Sequence, residues 1–192
     1  MKDKIILPCD FHGEKYGLTY RFVDEGDAKF IVDLRTNPIK SRYIGNTDDS
    51  VVGQREWIRK YKEREHEGED YYLIYYFGTI PAGVNRIYGI EEDHFIHGSW
   101  VFADNVPPFC SLAAAIIARE IAYDILGLEV EIDTSGIHED NQGVLQVSRM
   151  LGADFCGTRE SENGLFLLST LQKTVFEENK FKILKLIPKK YI

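Results

Sequence analysis

The spacing of apolar residues changes along the chain and predicts its elements in order. Alternating apolar positions mark a short strand from Leu18 to Phe22, and Asp24 or Asp27 is placed to cap a helix whose inner face is Ala28, Ile31, Val32 and Leu34. That helix must end before Pro38, because the residue preceding a proline avoids the helical region. After a polar segment, Ser41 to Ser50, a second helix is expected from Val51 to about Glu67, with Trp57, Ile58 and Tyr61 on one face and Gly68 at its end. Three strands follow, Tyr71 to Phe77, Ala82 to Ile90 and His94 to Phe102, with connections short enough for antiparallel hairpins.

A long helix is expected from Ser111 to Leu126, where only Arg119, Glu120, Tyr123 and Asp124 interrupt an apolar surface, so it must pack over most of its girth. A strand from Val130 to Thr134, a helix from Gln142 to Leu151 stopped by Gly152, and strands near Phe155 to Thr158 and Leu165 to Thr170 complete the order β-α-α-β-β-β-α-β-α-β-β. The basic stretch from Lys180 to Lys190 carries Phe181, Ile183, Leu184 and Leu186 at helical spacing, as a terminal helix docked by one face would. The expected architecture is one α/β (α+β) domain over residues 1–192, with a core at about 18–170 and a C-terminal helical extension at 171–192.

Composition narrows the classes. A hydrophobic share of 44% with 28% charged residues suits a globular domain, and no apolar run reaches the roughly 18 residues that cross a bilayer. A net charge of −8 speaks against a nucleic-acid partner. The amino-terminal segment has too short an apolar run for a secretory leader, so a cytoplasmic protein without a membrane partner is expected. Cys9, Cys110 and Cys156 lack metal-ligand spacing and read as reduced thiols, and His94 beside Glu91, Glu92 and Asp93 reads as a solvated hairpin turn; no metal is expected.

The chemistry concentrates where a strand runs through Pro107 and Pro108 into the long helix. A helix start aimed at from a strand end holds a phosphate on unpaired N–H groups without any charged side chain. A second strand–turn–helix unit, Leu128 to Ala153, lies just downstream. Together they suggest a mixed sheet that opens for a phosphate-bearing cofactor. No Gly-x-Gly-x-x-Gly follows a strand, which disfavours a dinucleotide-binding dehydrogenase.

At these residues the chain resembles the GCN5-related N-acetyltransferase (GNAT) superfamily, in the branch similar to ribosomal-protein and amino-sugar-nucleotide acetyltransferases. The resemblance covers roughly Leu18 to Thr170 and rests on element order, Asp27-Ala28, Asp33-Leu34-Arg35, Trp57-Ile58, Gly98-Ser99-Trp100-Val101, and Asn141 followed by Gly152. One motif departs: where the family's phosphate loop is Gln/Arg-x-x-Gly-x-Gly/Ala, this chain has Pro107-Pro108-Phe109-Cys110-Ser111-Leu112-Ala113. The resemblance implies a mostly antiparallel sheet splayed between the fourth and fifth strands, flanked by helices. It also implies direct acetyl transfer from acetyl-coenzyme A (acetyl-CoA) to a primary amine of a small acceptor, with a nucleotide-linked amino sugar the favoured one.

The resemblance places Trp100, Val101 and Phe102 beside the pantetheine arm, the pyrophosphate on the amides of Cys110, Ser111, Leu112 and Ala113, and Asn141 against the arm. His97 is the candidate base, since an unperturbed imidazole titrates near pH 6.5 and related enzymes place a histidine four residues before the valine equivalent to Val101. Ser148 stands where the family often has a tyrosine acid, and Asp133 could orient the amine. Arg35, Arg42 and Tyr43 are the acceptor-side candidates, an arginine being suited to an anionic substrate. A protein or peptide N-terminal acetyltransferase and a non-catalytic acyl-CoA-binding scaffold are the alternatives, and a homodimer is compatible with all three.

Overall fold

The computed structural model describes residues 4–43 and 49–192; part of the polar segment expected at 41–50, and the first three residues, lie outside the described residues. Among the described residues eight strands form one sheet. The chain opens with β1 (His12–Lys15) and β2 (Leu18–Phe22), then α1 (Ala28–Arg35) and α2 (Val51–His66). Next come β3 (Asp70–Phe77), β4 (Ile80–Glu91) and β5 (His94–Phe102), then α3 (Phe109–Glu120) and β6 (Val130–His138). Helix α4 (Gln142–Leu151), β7 (Asp154–Ser161), β8 (Gly164–Gln172), α5 (Lys173–Asn179) and α6 (Phe181–Leu184) complete it. The sheet order is β1-β2-β3-β4-β5-β6-β8-β7. No helix among the described residues is long and apolar enough to cross a membrane.

Strand β1 was not expected. His-Gly-Glu-Lys is polar and almost wholly exposed, so it carries no apolar alternation. It is paired because Tyr16 and Gly17, with φ of 54° and 78°, make the left-handed two-residue turn that matches strand twist and returns the chain onto β2. The turn is anchored from outside: the nearly buried carboxylate of Glu120 on α3 accepts from Lys15 Nζ (2.7 Å), Tyr16 Oη (3.0 Å) and Lys180 Nζ (3.1 Å).

Strand β3 is buried on both faces, so one run of alternating side chains serves two cores. Tyr71, Leu73 and Tyr75 pack towards α3 and the C-terminal helices, and Tyr72 and Ile74 towards α1 and α2. At the start of α1, Asp24 and Asp27 form a reciprocal capping box on a short 3-10 turn, and Arg21 clamps Asp27 through two nitrogens at 2.7 and 2.9 Å.

The long helix begins two residues earlier than expected, at Phe109, and ends in a π-helical turn, Ile121–Ile125, closed by Leu126 N–H on the Ile121 carbonyl at 2.9 Å. The expected terminal helix is instead two short helices and a 3-10 turn, Lys189–Tyr191. Phe176, Ile183 and Ile187 are buried, so one-sided docking holds although the helix is broken.

The feature that positions the site is the meeting of β5 and β6. Every other neighbouring pair is antiparallel; this one is parallel and pairs only at His94 with Val130 and Phe95 with Glu131. Beyond Phe95 the strands separate, which is the splay expected between the fourth and fifth strands, here the fifth and sixth because β1 adds one. Both strands are bulged where they part. Between β4 and β5 the register slips at Ser99, whose φ is +50°, and between β6 and β8 it slips from Asp133 to Ile137.

Candidate active site

The splay opens into a cleft of about 880 Å³. Its floor is the vertex where β5 and β6 last touch. There Arg119 from α3 binds Glu131 of β6 through Nε and one terminal nitrogen, at 2.7 and 2.8 Å, and gives its other terminal nitrogen to the Ala115 carbonyl at 3.0 Å. Both side chains are buried, so the pair is held by geometry rather than by water. Burial pushes the Glu131 carboxyl up, and the guanidinium pulls it back.

His97 lies on the cleft wall. Part of the residue is exposed, but its Nε2 is buried and has no hydrogen-bond partner among the described residues. Burial, and secondarily the Arg119 charge, hold its pKa well below the ordinary 6.5, so the imidazole is neutral at physiological pH. Trp100, 5.8 Å away between ring centroids, fixes the same stretch of β5 by donating its indole N–H to the Ser111 carbonyl at 3.1 Å.

Asp133, the last regular residue of β6 before its bulge, accepts from the Gly136 amide at 2.8 Å. Its carboxylate thus shapes the bulge, and burial raises its pKa against these backbone hydrogen bonds. The bulge turns Ser135 and Gly136 into the cleft, next to Tyr88. On the far wall, Asn141 caps α4 by accepting the Val144 amide at Oδ1 (3.5 Å), and Ser148, buried about two turns further along the same face, also lines the cleft. Arg35, Arg42 and Tyr43 line the mouth, with Arg42 3.8 Å from Asp140.

Eight of the fourteen site residues expected from sequence therefore share one cleft: His97, Trp100, Asp133, Asn141, Ser148, Arg35, Arg42 and Tyr43. Val101 and Phe102 do not line it; their side chains are buried in the two cores. The phosphate turn needs a correction. Because α3 starts at Phe109, the amides of Leu112 and Ala113 fall beyond the first turn and bond carbonyls within the helix. The Cys110 amide is taken by the Pro107 carbonyl at 2.9 Å, and the Cys110 and Ala113 side chains are fully buried. Of the four amides expected there, Ser111 remains, joined by Phe109, with no side chain capping either. Burial raises the Cys110 thiol to about 11, which makes it a packing residue and not a nucleophile.

Sequence reasoning missed Tyr88, the Arg119–Glu131 pair, and a group at the mouth formed by His138, Arg159 and Phe166. Asp133-Thr134-Ser135-Gly136 is a turn signature inside a strand and could have announced the bulge. Among the described residues no three His, Cys, Asp or Glu side chains are grouped to hold a metal ion.

No family model matches the chain, and neither does any curated protein. Solved structures do. FdhC in its apo form, described as a nucleotide-linked sugar GNAT, is 28% identical, with a TM-score of 0.76 over 93% of this chain and 99% of its own. RimJ of Mycobacterium smegmatis, in complex with CoA-disulfide, superposes with a TM-score of 0.74 at 13% identity over 91% of each chain. The ribosomal-protein-S5-alanine acetyltransferase of Vibrio fischeri superposes at 0.71 with 13% identity, over 85% of this chain and 97% of its own. The last two likenesses are of fold alone.

Proposed function

We infer that the chain, which has the fold of the GCN5-related N-acetyltransferases, is a member of that superfamily and moves an acetyl group from acetyl-CoA to a primary amine of a small anionic acceptor, a nucleotide-linked amino sugar. The observation that carries the reading is the splay itself, a strand edge without a neighbour beside a buried, neutral and unpartnered imidazole.

The residues present fit the cosubstrate. From Ile96 to Phe102 one edge of β5 has no strand partner, so the backbone groups that face this edge are open to an amide-bearing arm, except the Phe102 carbonyl, which Lys40 Nζ takes. The first turn of α3 offers the amides of Phe109 and Ser111 to a pyrophosphate, aided by the helix dipole. Asn141 faces the cleft with Nδ2 donors while Oδ1 serves the helix. When bound, acetyl-CoA supplies an activated acyl thioester.

The chain's own contribution is then to orient and deprotonate the amine. His97 takes the amine proton, its neutral imidazole accepting at the ring nitrogen that carries no hydrogen. Ser148 is the candidate proton donor, from a buried hydroxyl on α4. Asp133 acts indirectly, by keeping the β6 bulge in shape. Arg35, Arg42 and Tyr43 meet the acceptor at the mouth, and the arginines favour an anionic acceptor over a basic peptide or polyamine.

A scaffold that had lost catalysis would be favoured by Phe109 filling the phosphate site. Phe109 instead stacks on Tyr191 (5.3 Å) and meets Phe77 edge-on (5.7 Å). The test is thiol release from acetyl-CoA with UDP- and dTDP-linked amino sugars, spermidine and a basic peptide as acceptors. Turnover confined to the nucleotide-linked amines is the expected result; turnover with the peptide or spermidine alone would overturn the acceptor, and saturable acetyl-CoA binding without any turnover would favour the scaffold.

A further inference from the structure

At the mouth of the cleft three rings from distant parts of the chain touch one another. Tyr43 and His138 lie 5.1 Å apart between centroids, and His138 meets Phe166 edge-on at 5.1 Å. Both nitrogens of His138 are engaged: Nε2 donates to the Asn163 carbonyl at 2.7 Å, and Nδ1 accepts the Asp140 amide at 3.1 Å. That arrangement sets the tautomer and leaves no nitrogen for acid–base chemistry, so what His138 presents is its ring. Gly164 makes room for it, since a Cβ there would stand 2.7 Å from Nε2.

Beside the rings sits a cation that makes no salt bridge among the described residues, although its charge reaches Asp133. Arg159 lies 4.5 Å over the Phe166 ring and is fixed by Nε and a terminal nitrogen on the Ser135 carbonyl, at 3.2 and 2.7 Å. A carbonyl orients a guanidinium without neutralising it, and among the described residues no carboxylate comes within ion-pair distance of Arg159. Arg42, 5.2 Å over the Tyr43 ring, has among the described residues the one long ion contact, to Asp140, with both side chains largely exposed. In a chain of net charge −8, two arginines laid on a ring platform and not firmly paired to acids are an arrangement that calls for an anion joined to a flat ring.

The geometry points to a nucleoside diphosphate site here, within the acceptor end of the transferase cleft proposed above and resting on that reading: the base stacks on the Tyr43–His138 platform, and Arg159 and Arg42 hold the diphosphate. The platform comes from the segment after α1, the end of β6 and the β7–β8 hairpin. The start of α3, where the cosubstrate's pyrophosphate is assigned, contributes nothing to it.

The test is calorimetric titration of the full chain, without acetyl-CoA, by UDP and dTDP, with uridine, inorganic pyrophosphate and coenzyme A as comparison probes. UDP or dTDP should bind saturably, at least tenfold tighter than uridine or pyrophosphate. Arg159→Gln and Tyr43→Leu, both at exposed or half-exposed positions that should not disturb folding, should each weaken that binding about tenfold and leave coenzyme A binding unchanged. Absence of nucleotide binding, or variants that bind as the parent does, would overturn the site. So would loss of coenzyme A affinity in the same variants, which would give the platform to the cosubstrate. Thiol release with simple amines separates the two readings: turnover without nucleotide binding removes only this site, whereas nucleotide binding with no turnover on any amine leaves the site and removes the transferase.

Discussion

Arg119 and Arg159 stand in one cleft under opposite conditions. Arg119 is buried at the vertex, where every contact it makes was settled on folding: a bidentate carboxylate and a helix carbonyl. Arg159 sits at the mouth, held by one carbonyl and a ring, with no salt bridge among the described residues. The same side chain is a structural element where its counter-ion is part of the fold and a binding element where it is not. The contrast bears also on His97, held neutral first by burial and then by the charge of the paired arginine, while a phosphate is better received at the mouth, where Arg159 has no salt bridge to give up before it binds.

The strongest test of the contrast is stability. Arg119→Met leaves Glu131 buried without its partner and should cost about 3–5 kcal/mol in urea unfolding, whereas Arg159→Gln should stay within about 0.5 kcal/mol. Replacing both partners, Arg119→Met with Glu131→Leu, should restore most of the loss; equal costs for the two arginines would end the comparison. Next in size, His97→Gln should lower turnover by about 100-fold or more at neutral pH with acetyl-CoA affinity intact, and unchanged turnover would remove His97 from the chemistry.

A smaller effect is expected at the start of α3. Ser111→Asp places a carboxylate in the first helical turn, where the dipole favours it, so thermal stability should hold or rise while coenzyme A affinity falls about tenfold by repulsion of the pyrophosphate. If affinity is unchanged, the phosphates lie elsewhere. The smallest effect is in pH. His97 has a folded pKa below its unfolded value of 6.5, so below pH 6.5 the unfolded chain takes up a proton that the folded chain refuses. Stability should therefore fall as the pH drops from 6.5, at up to about 1.4 kcal/mol per pH unit from this group alone, and His97→Gln should flatten that slope in unfolding curves measured between about pH 5 and 7.

Much of this molecule could be read from local pattern. The doubly buried β3, the apolar girth of α3, the Asp24–Asp27 cap and the Asn141–Gly152 bounds of α4 each depend on residues within a few positions of one another, and for such features side-chain spacing and backbone preference decide the outcome. The splay was legible only as element order, through resemblance. Strand β1 was not legible, because a polar edge strand is made by its turn and by the Glu120 anchor more than a hundred residues away. Nor was the exact start of α3, and a shift of two residues removed most of the amides expected to meet the phosphates.

By itself, then, the sequence determined most of the helices and strands, though not β1 or the breaks in the C-terminal helix, and which of them must be buried, since those outcomes follow from interactions between near neighbours. Only the tertiary structure decided where the chemistry sits. The imidazole of His97 is held neutral by burial and by the charge of Arg119 on α3, and the rings of Tyr43, His138 and Phe166 meet because three segments far apart in the chain converge on one end of a cleft. Burial and long-range juxtaposition set a side chain's charge state and its partners, and neither is a property of the residues beside it in the chain.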